Sequence, residues 1–409
     1  MRMNKHNFAW PITAQDREDI DAFEKWFKLC EHLLKDHTLA IWGAGIRGTA
    51  FSILLKEKKF TDIVFVDINS EKQGGTIDEF SIISPEQLYA ENADKYIILV
   101  SVENSKAIEK NLDDHGYRNG VDYFTAKTEQ YDEYTKEFTR QCSDYYMFVG
   151  DCEFSSIALR DTDRNNLREK IYQRFGKENA KVLAMHGMGL RAHYNIIMAQ
   201  INMGLIPSVL AIQVNFDTLT GMQHLLPRSQ HTELLEKLLE VQREPSEEFE
   251  EYVNITRERS KNIKMEFFSG GEEIGAVTEN KARNYLRLNY MYELDINTEG
   301  IIYLSRLLDE MSAQKVTVIP FIPPVNYQLA EKFFGDDFSK RYSDNVRKIR
   351  ELVESKGFDL LDMSYELTSD LFAGLYTPSE TANSAGRDKV ADILFNAVME
   401  RSKNGTGNN

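Results

Sequence analysis

Short apolar runs rich in β-branched and aromatic residues recur along the chain, separated by polar stretches whose apolar residues fall at helical spacing. LAIW from Leu39, IVFVD ending at Asp67 and YIILVSV from Tyr96 form one series. YYMFVGD from Tyr145, KVLAMHG from Lys181, SVLAIQVN from Ser208, KVTVIPFIPPVN from Lys315 and FDLLDMS from Phe358 form a second. Apolar runs without strict alternation are the pattern of strands buried on both faces, and strands alternating with helices make parallel sheets. The pattern predicts an α/β protein with two doubly wound parallel sheets. Residues 1–37 carry apolar side chains at helical spacing in DIDAFEKWFKLCEHLL, which predicts a packing helix ahead of the first sheet. The first sheet then occupies 38–124 and the second 145–400. Between them, residues 125–144 (AKTEQYDEYTKEFTRQCSD from Ala126) are polar and helical in spacing, and read as a connector. The second series is interrupted at 223–290 by a charged, mostly helical insertion. Such an insertion serves either as a lid over the carboxyl edge of the sheet or as a solvated hairpin making dimer contacts, which leaves a homo-oligomer open. The tail 401–409, RSKNGTGNN, is expected to be disordered.

Length agrees with two domains, because 409 residues exceed what one core holds and cores stop growing near about 300. The formal charge of −16, with no basic patch to override it, argues against nucleic acid and anionic membranes as partners. The short KEKK at Lys56 reads as a helix end, where lysines complement the dipole. The start, MRMNKHNFAWPITAQDRED, lacks the apolar core of a signal peptide, and no apolar run reaches the roughly 18 residues a spanning helix needs. The expected location is the cytoplasm, without membrane insertion. Cys30, Cys142 and Cys152 form neither a disulfide framework nor a metal-ligand pattern, and no metal is expected.

Two constellations carry candidate chemistry. In LAIWGAGIRGTAFSILL, Gly43, Gly45 and Gly48 stand as G-x-G-x-x-G between a strand and a helix. Glycines at that place permit a tight turn and close approach, and the helix start offers unpaired N–H groups to a phosphate. Asp67 ends the next strand, where an acid can bind a ribose diol. The alternative is that the glycines only build a tight turn. The stretch 38–124, with DINSEKQGG and ISPEQL after the second strand, resembles the small Rossmann-like domain of bacterial polysaccharide-biosynthesis proteins. That resemblance implies a nucleotide, a nucleotide-sugar or no ligand and does not establish redox chemistry; NAD(P) is the ligand of the oxidoreductase alternative. A dehydrogenase would need an acid or base beside the nicotinamide, and no Tyr-x-x-x-Lys pair follows.

The second constellation lies at the strand ends of the second series: FVGDCEFSS, VLAMHGMG, LAIQVNFDTLTG, VIPFIPPVN, and GFDLLDMS with ETANSAGRDKVADIL. Over about 145–400 this series resembles the SGNH/GDSL hydrolase superfamily, nearest its DltD- and AlgX-like acyl-transfer branch. The resemblance implies a nucleophile within Gly150-Asp151-Cys152, where the family has serine and this chain cysteine. It implies oxyanion donors at Gly187 or Gly189 and at Asn215. It also implies a C-terminal Asp-x-x-His, and here the chain departs: TPSETANSAGR holds no histidine, and the expected base falls on Thr381. All eight histidines lie at or before His231. A serine without a base is nearly inert, whereas a cysteine is partly thiolate near neutrality and more so at a helix N-terminus. The two departures therefore fit either a cysteine enzyme or a decayed one.

Substitute proton carriers are Glu380, His186 at the carboxyl end of its strand, and His224. Each has a plain alternative as a surface or core residue. Asp151 can cap the next turn, Ser155 and Ser156 fall on the expected first helical turn, and Cys152 reads equally as a small buried hydrophobe. Asn326 in PPVN and Asp362 in LLDMS end strands and either face the cleft or fix a loop. The combined expectation is a surface-polysaccharide biosynthesis protein. It would transfer an acyl (acetyl) group from a small-molecule donor to a sugar or glycan acceptor, or hydrolyse the ester. The alternatives are a non-catalytic glycan-binding or scaffold protein on a decayed hydrolase fold, and an NAD(P)-dependent oxidoreductase.

Overall fold

The computed structural model describes residues 14–219, 231–262 and 279–405, apart from 92, 103, 104, 128, 129, 160, 375, 378 and 380. The chain is mixed α/β with parallel sheets and divides into two compact units, whose described parts are 14–127 and 130–405. Among the described residues no helix is long and apolar enough to cross a membrane.

In the first unit α1 (Arg17–Cys30) buries Ile20, Phe23, Trp26 and Cys30 along one face as the periodicity requires. Strands β1 (Thr38–Trp42), β2 (Ile63–Val66), β4 (Phe80–Ile83), β5 (Tyr96–Val100) and β6 (Tyr123–Thr125) then form a parallel sheet in the order β4-β2-β1-β5-β6. The two-residue β3 (Thr76–Ile77) pairs antiparallel with β4 and closes that edge. Helix α2 (Ile46–Glu57) follows β1 directly. Helix α3 (Pro85–Ala90) starts in ISPEQL with a full capping box: Ser84 accepts from the Gln87 N–H, Gln87 accepts from the Ser84 N–H, and Pro85 takes the first helical position. Helix α4 (Lys106–Asp114) covers the sheet through Leu112.

The second unit begins with α5 (Gln130–Thr139), so the stretch read as a connector packs on this unit. Strands β7 (Tyr146–Gly150), β8 (Ala180–Ala184), β9 (Val209–Gln213), β10 (Thr317–Ile322) and β11 (Leu361–Asp362) form one parallel sheet in the order β8-β7-β9-β10-β11. Alternate residues face opposite ways. Phe148, Val182, Ala184, Val209, Ala211, Ile319 and Phe321 pack under α6 (Leu167–Phe175) and α14 (Ser384–Gly405). Met147, Val149, Leu183, Leu210 and Ile212 are buried on the other face, the side served by α7 (Leu190–Asn202) and α11 (Glu299–Ala313). The insertion supplies α8 (Thr232–Glu240), α9 (Glu247–Asn262) and α10 (Glu279–Tyr290). Helices α12 (Tyr327–Phe334) and α13 (Asp336–Ser355) join β10 to β11.

Charged groups finish the second sheet. β8 is the outermost strand, whose outward backbone groups would invite another strand, but Arg140 donates to the Ala180 carbonyl at 2.5 Å, Glu137 accepts from the Val182 N–H at 3.3 Å and Arg168 donates to the Ala184 carbonyl at 2.8 Å. Lys181, fully buried, donates to the carbonyls of Phe138 and Arg140 and to Gln200 Oε1, tying β8 to the end of α5 and to α7. Arg387, buried near the start of α14, donates to the carbonyls of Ala382, Asn165 and Asp163 and pairs with Asp161 at 3.0 Å.

Candidate functional site

In an open α/β sheet, ligands bind beyond the carboxyl ends of the strands where the strand order reverses. In the second unit that point lies between β7 and β9, and it is where GDC and QVN meet. Asn215 Nδ2 donates to Asp151 Oδ2 at 2.9 Å, and both residues are buried. The Asp151 N–H donates to Gln213 Oε1 at 2.9 Å. Gly150 is required by that approach, because a Cβ there would stand 2.3 Å from both Gln213 Oε1 and the Phe154 ring.

The remaining Asp151 oxygen accepts the Glu153 N–H at 3.2 Å, capping a single 3-10 turn, Cys152–Phe154. This corrects the expectation that Ser155 and Ser156 stand on the first turn of an α-helix. Ser155 turns its N–H and hydroxyl back onto the Cys152 carbonyl, and Ser156 begins an extended segment. Cys152 is half-buried and stands at the start of that 3-10 turn.

The second block comes to the same edge. Gly187 has φ +70°, and Gly189 is the N-cap of α7, its nearest neighbour across the fold being Thr218 Cβ at 3.9 Å from an added Cβ. Thr218 in turn donates its N–H and hydroxyl to the Asn215 carbonyl. Gly189, Asn215, Asp151 and Cys152 thus belong to one neighbourhood.

The histidines are disposed otherwise. His186 packs its ring against His231 at 4.9 Å between centroids, and His231 contacts the His186 carbonyl at 2.5 Å and the Tyr131 hydroxyl at 3.2 Å. Burial, with His186 beside it, pushes His231 down to about 3. His193 on α7 holds the Gly150 carbonyl through Nε2 at 3.2 Å, and burial pushes it down to about 4. It is therefore neutral, with the hydrogen on Nε2, and its buried Nδ1 has no partner among the described residues.

In the C-terminal block, Thr381 is buried, with its N–H on the Ser379 carbonyl and its carbonyl on the Ala373 N–H. Glu380 and His224 lie outside the described residues. Asn326 is fully buried as a loop clamp: it accepts the Leu329 N–H and the Ser369 hydroxyl and donates to the Thr377 carbonyl. Asp362 pairs with Arg350 at 3.2 Å and accepts the Ser364 N–H. Among the described residues no group of three or more His, Cys, Asp or Glu could hold a metal ion.

Sequence reasoning missed Gln213, although a polar residue ending the apolar run LAIQ is a visible signal. It also missed Tyr285, Tyr290 and Tyr292, which donate respectively to Asp217 Oδ2 at 3.2 Å, Asn215 Oδ1 at 3.4 Å and the Phe216 carbonyl at 2.8 Å. No local pattern marks these tyrosines.

In the first unit the order reverses between β1 and β5, above the glycine loop. Gly43 has φ +116°, and a Cβ on it would meet Ser101 Oγ and Val102 Cγ1 at 2.8 Å. A Cβ on Gly48 would lie 2.0 Å from the Gly43 carbonyl oxygen, whereas one on Gly45 meets nothing within 4 Å. Fold geometry accounts for the first and third glycines and leaves the second facing open space.

Asp67 is buried, and its carboxylate accepts the N–H of Ala44 at 3.0 Å, the N–H of Asn69 at 2.9 Å and the Lys72 ammonium at 2.8 Å. Lys72 also donates to the Ala44 carbonyl at 3.0 Å. Arg47, in the first turn of α2, is held by Asp19 at 2.6 Å and by the Ala126 carbonyl.

Residues 35–120 match the family described as C2185-like, N-terminal, a stretch confined to the first unit. No curated protein matches the chain.

Proposed function

We propose that the chain is a surface-glycan biosynthesis enzyme that moves an acyl group to or from a sugar through an SGNH-like second unit, with a Rossmann-like first unit that takes a nucleotide-type ligand. The observation that carries this reading is the 2.9 Å bond from Asn215 to Asp151 across the order reversal of a β8-β7-β9-β10-β11 sheet. Numbered along the chain, that order is 2-1-3-4-5, a common doubly wound arrangement. In this reading the Cys152 thiolate attacks the acyl carbonyl, and the Gly189 N–H with the Asn215 amide stabilises the oxyanion. Collapse expels the donor's leaving group, which takes up the proton lost by the thiol. A sugar hydroxyl or water then attacks the thioester, gives up its proton and regenerates the thiol. The free cysteines suit a reducing cytoplasm.

The first unit's parallel order, numbered along the chain, is 3-2-1-4-5, and the open face of Gly45 suits close approach of a phosphate to the start of α2. A bound nucleotide would supply phosphates for those backbone N–H groups to hold. The carboxylate of Asp67 is already engaged by Ala44, Asn69 and Lys72, which disfavours a ribose diol there and with it the NAD(P) oxidoreductase reading.

A non-catalytic glycan binder draws support from Thr381, buried where the resemblance expects a histidine. Intact mass after brief exposure to an activated acyl ester separates the two. An enzyme gives one adduct in the wild type, absent in Cys152→Ala and formed faster than at Cys30 or Cys142; a binder gives no selective adduct.

A further inference from the structure

We propose that Tyr290 is a positioning residue that steadies the Asn215 amide in the orientation its neighbours fix; the inference rests on the reading of Asn215 as an oxyanion donor. An asparagine amide is pseudo-symmetric in shape but opposite in hydrogen bonding at its two ends. Around Asn215, Asp151 Oδ2 can only accept, and it lies 2.9 Å from Nδ2. The Tyr290 hydroxyl and the Asp217 N–H donate to Oδ1, each at 3.4 Å. A flipped amide would set Oδ1 against the Asp151 carboxylate and its NH2 against the Asp217 N–H. Only one orientation satisfies both the Asp151 carboxylate and the Asp217 N–H; it turns Nδ2 toward Asp151, and the Tyr290 hydroxyl, able to donate or accept, donates to Oδ1 there.

Tyr290 is a side-chain donor in that arrangement, and the fold holds it firmly. It is buried at the end of α10, with its ring 6.1 Å from those of Tyr285 and Tyr342. Tyr285 and Tyr292 fasten the following residues, Asp217 and Phe216, so the loop after β9 is held residue by residue from the end of α10. The inserted helix is thereby a support for the donor, joined to it through 75 residues of chain.

The test uses the full chain with Tyr290→Phe, which keeps the ring and its packing. Tyr145→Phe is the control: it removes an equally buried hydroxyl, bonded to the Leu205 carbonyl at the opposite end of β7. Two quantities are read: the side-chain 15N–1H pair of Asn215, assigned by its loss in Asn215→Asp, and turnover of p-nitrophenyl acetate. The expected result is an Asn215 pair displaced or doubled in Tyr290→Phe and unmoved in Tyr145→Phe. With it comes a kcat lowered about tenfold while KM changes less than about twofold, because a misoriented donor fails mainly in the transition state. An Asn215 pair coincident with wild type in Tyr290→Phe overturns the positioning role. A displaced pair in a protein whose wild type neither turns over the ester nor acylates Cys152 keeps the positioning role and overturns the acyl-transfer reading instead.

Discussion

Gly48 and Gly43 are locked together: a Cβ on Gly48 would fall 2.0 Å from the Gly43 carbonyl oxygen, while Gly45 between them faces open space. Gly48→Ala must push backbone aside, and a loss of about 2–3 kcal/mol is expected in denaturant unfolding of the first unit. Gly45→Ala should stay within about 1 kcal/mol of wild type, the usual range for an N-cap change. A phosphate-bearing ligand would nonetheless lose affinity in Gly45→Ala, measurable by calorimetry. Equal stability loss at both positions would show that Gly45 also serves packing.

Asp151 and Asn215 are both buried, so removing either takes from the other a hydrogen bond made away from water. Asp151→Ala and Asn215→Ala should each lower stability by about 1–3 kcal/mol, with Asp151→Ala the larger because it also strips the cap from the turn after β7. The double variant should cost less than the sum of the two, and urea unfolding of all four proteins measures that coupling. Strict additivity would mean that the 2.9 Å contact contributes nothing.

What the chain's pattern revealed was whatever is local. Three strands of the first sheet, the five of the second, the glycine loop and the arrival of GDC and QVN at strand ends are visible in short windows, because period and turn chemistry act over a few residues; the short strands Thr76–Ile77, Phe80–Ile83 and Tyr123–Thr125 were not read. The turn after Cys152 was misread for a local reason. A helix was expected from the resemblance, yet the Ser155 hydroxyl competes for the Cys152 carbonyl, as serines do. Lys181 was read simply as part of a strand, since nothing nearby shows that its acceptors come from α5 and α7. Tyr290 was invisible for the same reason, as Asn215 lies 75 residues away. His231 was passed over although it packs on His186, 45 residues earlier in the chain. Asp67 was placed at the right strand end, but its engagement with Ala44 and Lys72 depends on how the loop folds back.

Lys181 makes stability depend on alkaline pH. Burial lowers its pKa to about 8, while in the unfolded chain it stays protonated to beyond 10. Between those values the unfolded state binds more protons, so stability rises with pH, by about 1 kcal/mol per unit. Lys181→Met should lack that rise. The difference between the two proteins, followed by urea unfolding from pH 8 to 10, isolates it from the buried tyrosines they share. A difference independent of pH would mean that the ammonium keeps its ordinary pKa inside the fold.

At the acid end the decisive groups are His193 and His231, held neutral by burial with pKa values near 4 and 3. Both folded values lie below the unfolded value of about 6.5. Their neutral forms match the fold above pH 6.5, and as pH falls below that the unfolded chain takes up protons that the folded chain refuses. Stability is therefore expected to fall from pH 6.5 downward, with His193 responsible for about 3 kcal/mol by pH 4. His193→Gln cannot titrate, and its amide can still donate to the Gly150 carbonyl. It should unfold more easily than wild type at pH 7.5 and show a shallower loss between pH 6.5 and 4. If both proteins lose stability in parallel over that range, His193 is protonated in the folded state, and the acid sensitivity belongs to His231 and the carboxylates.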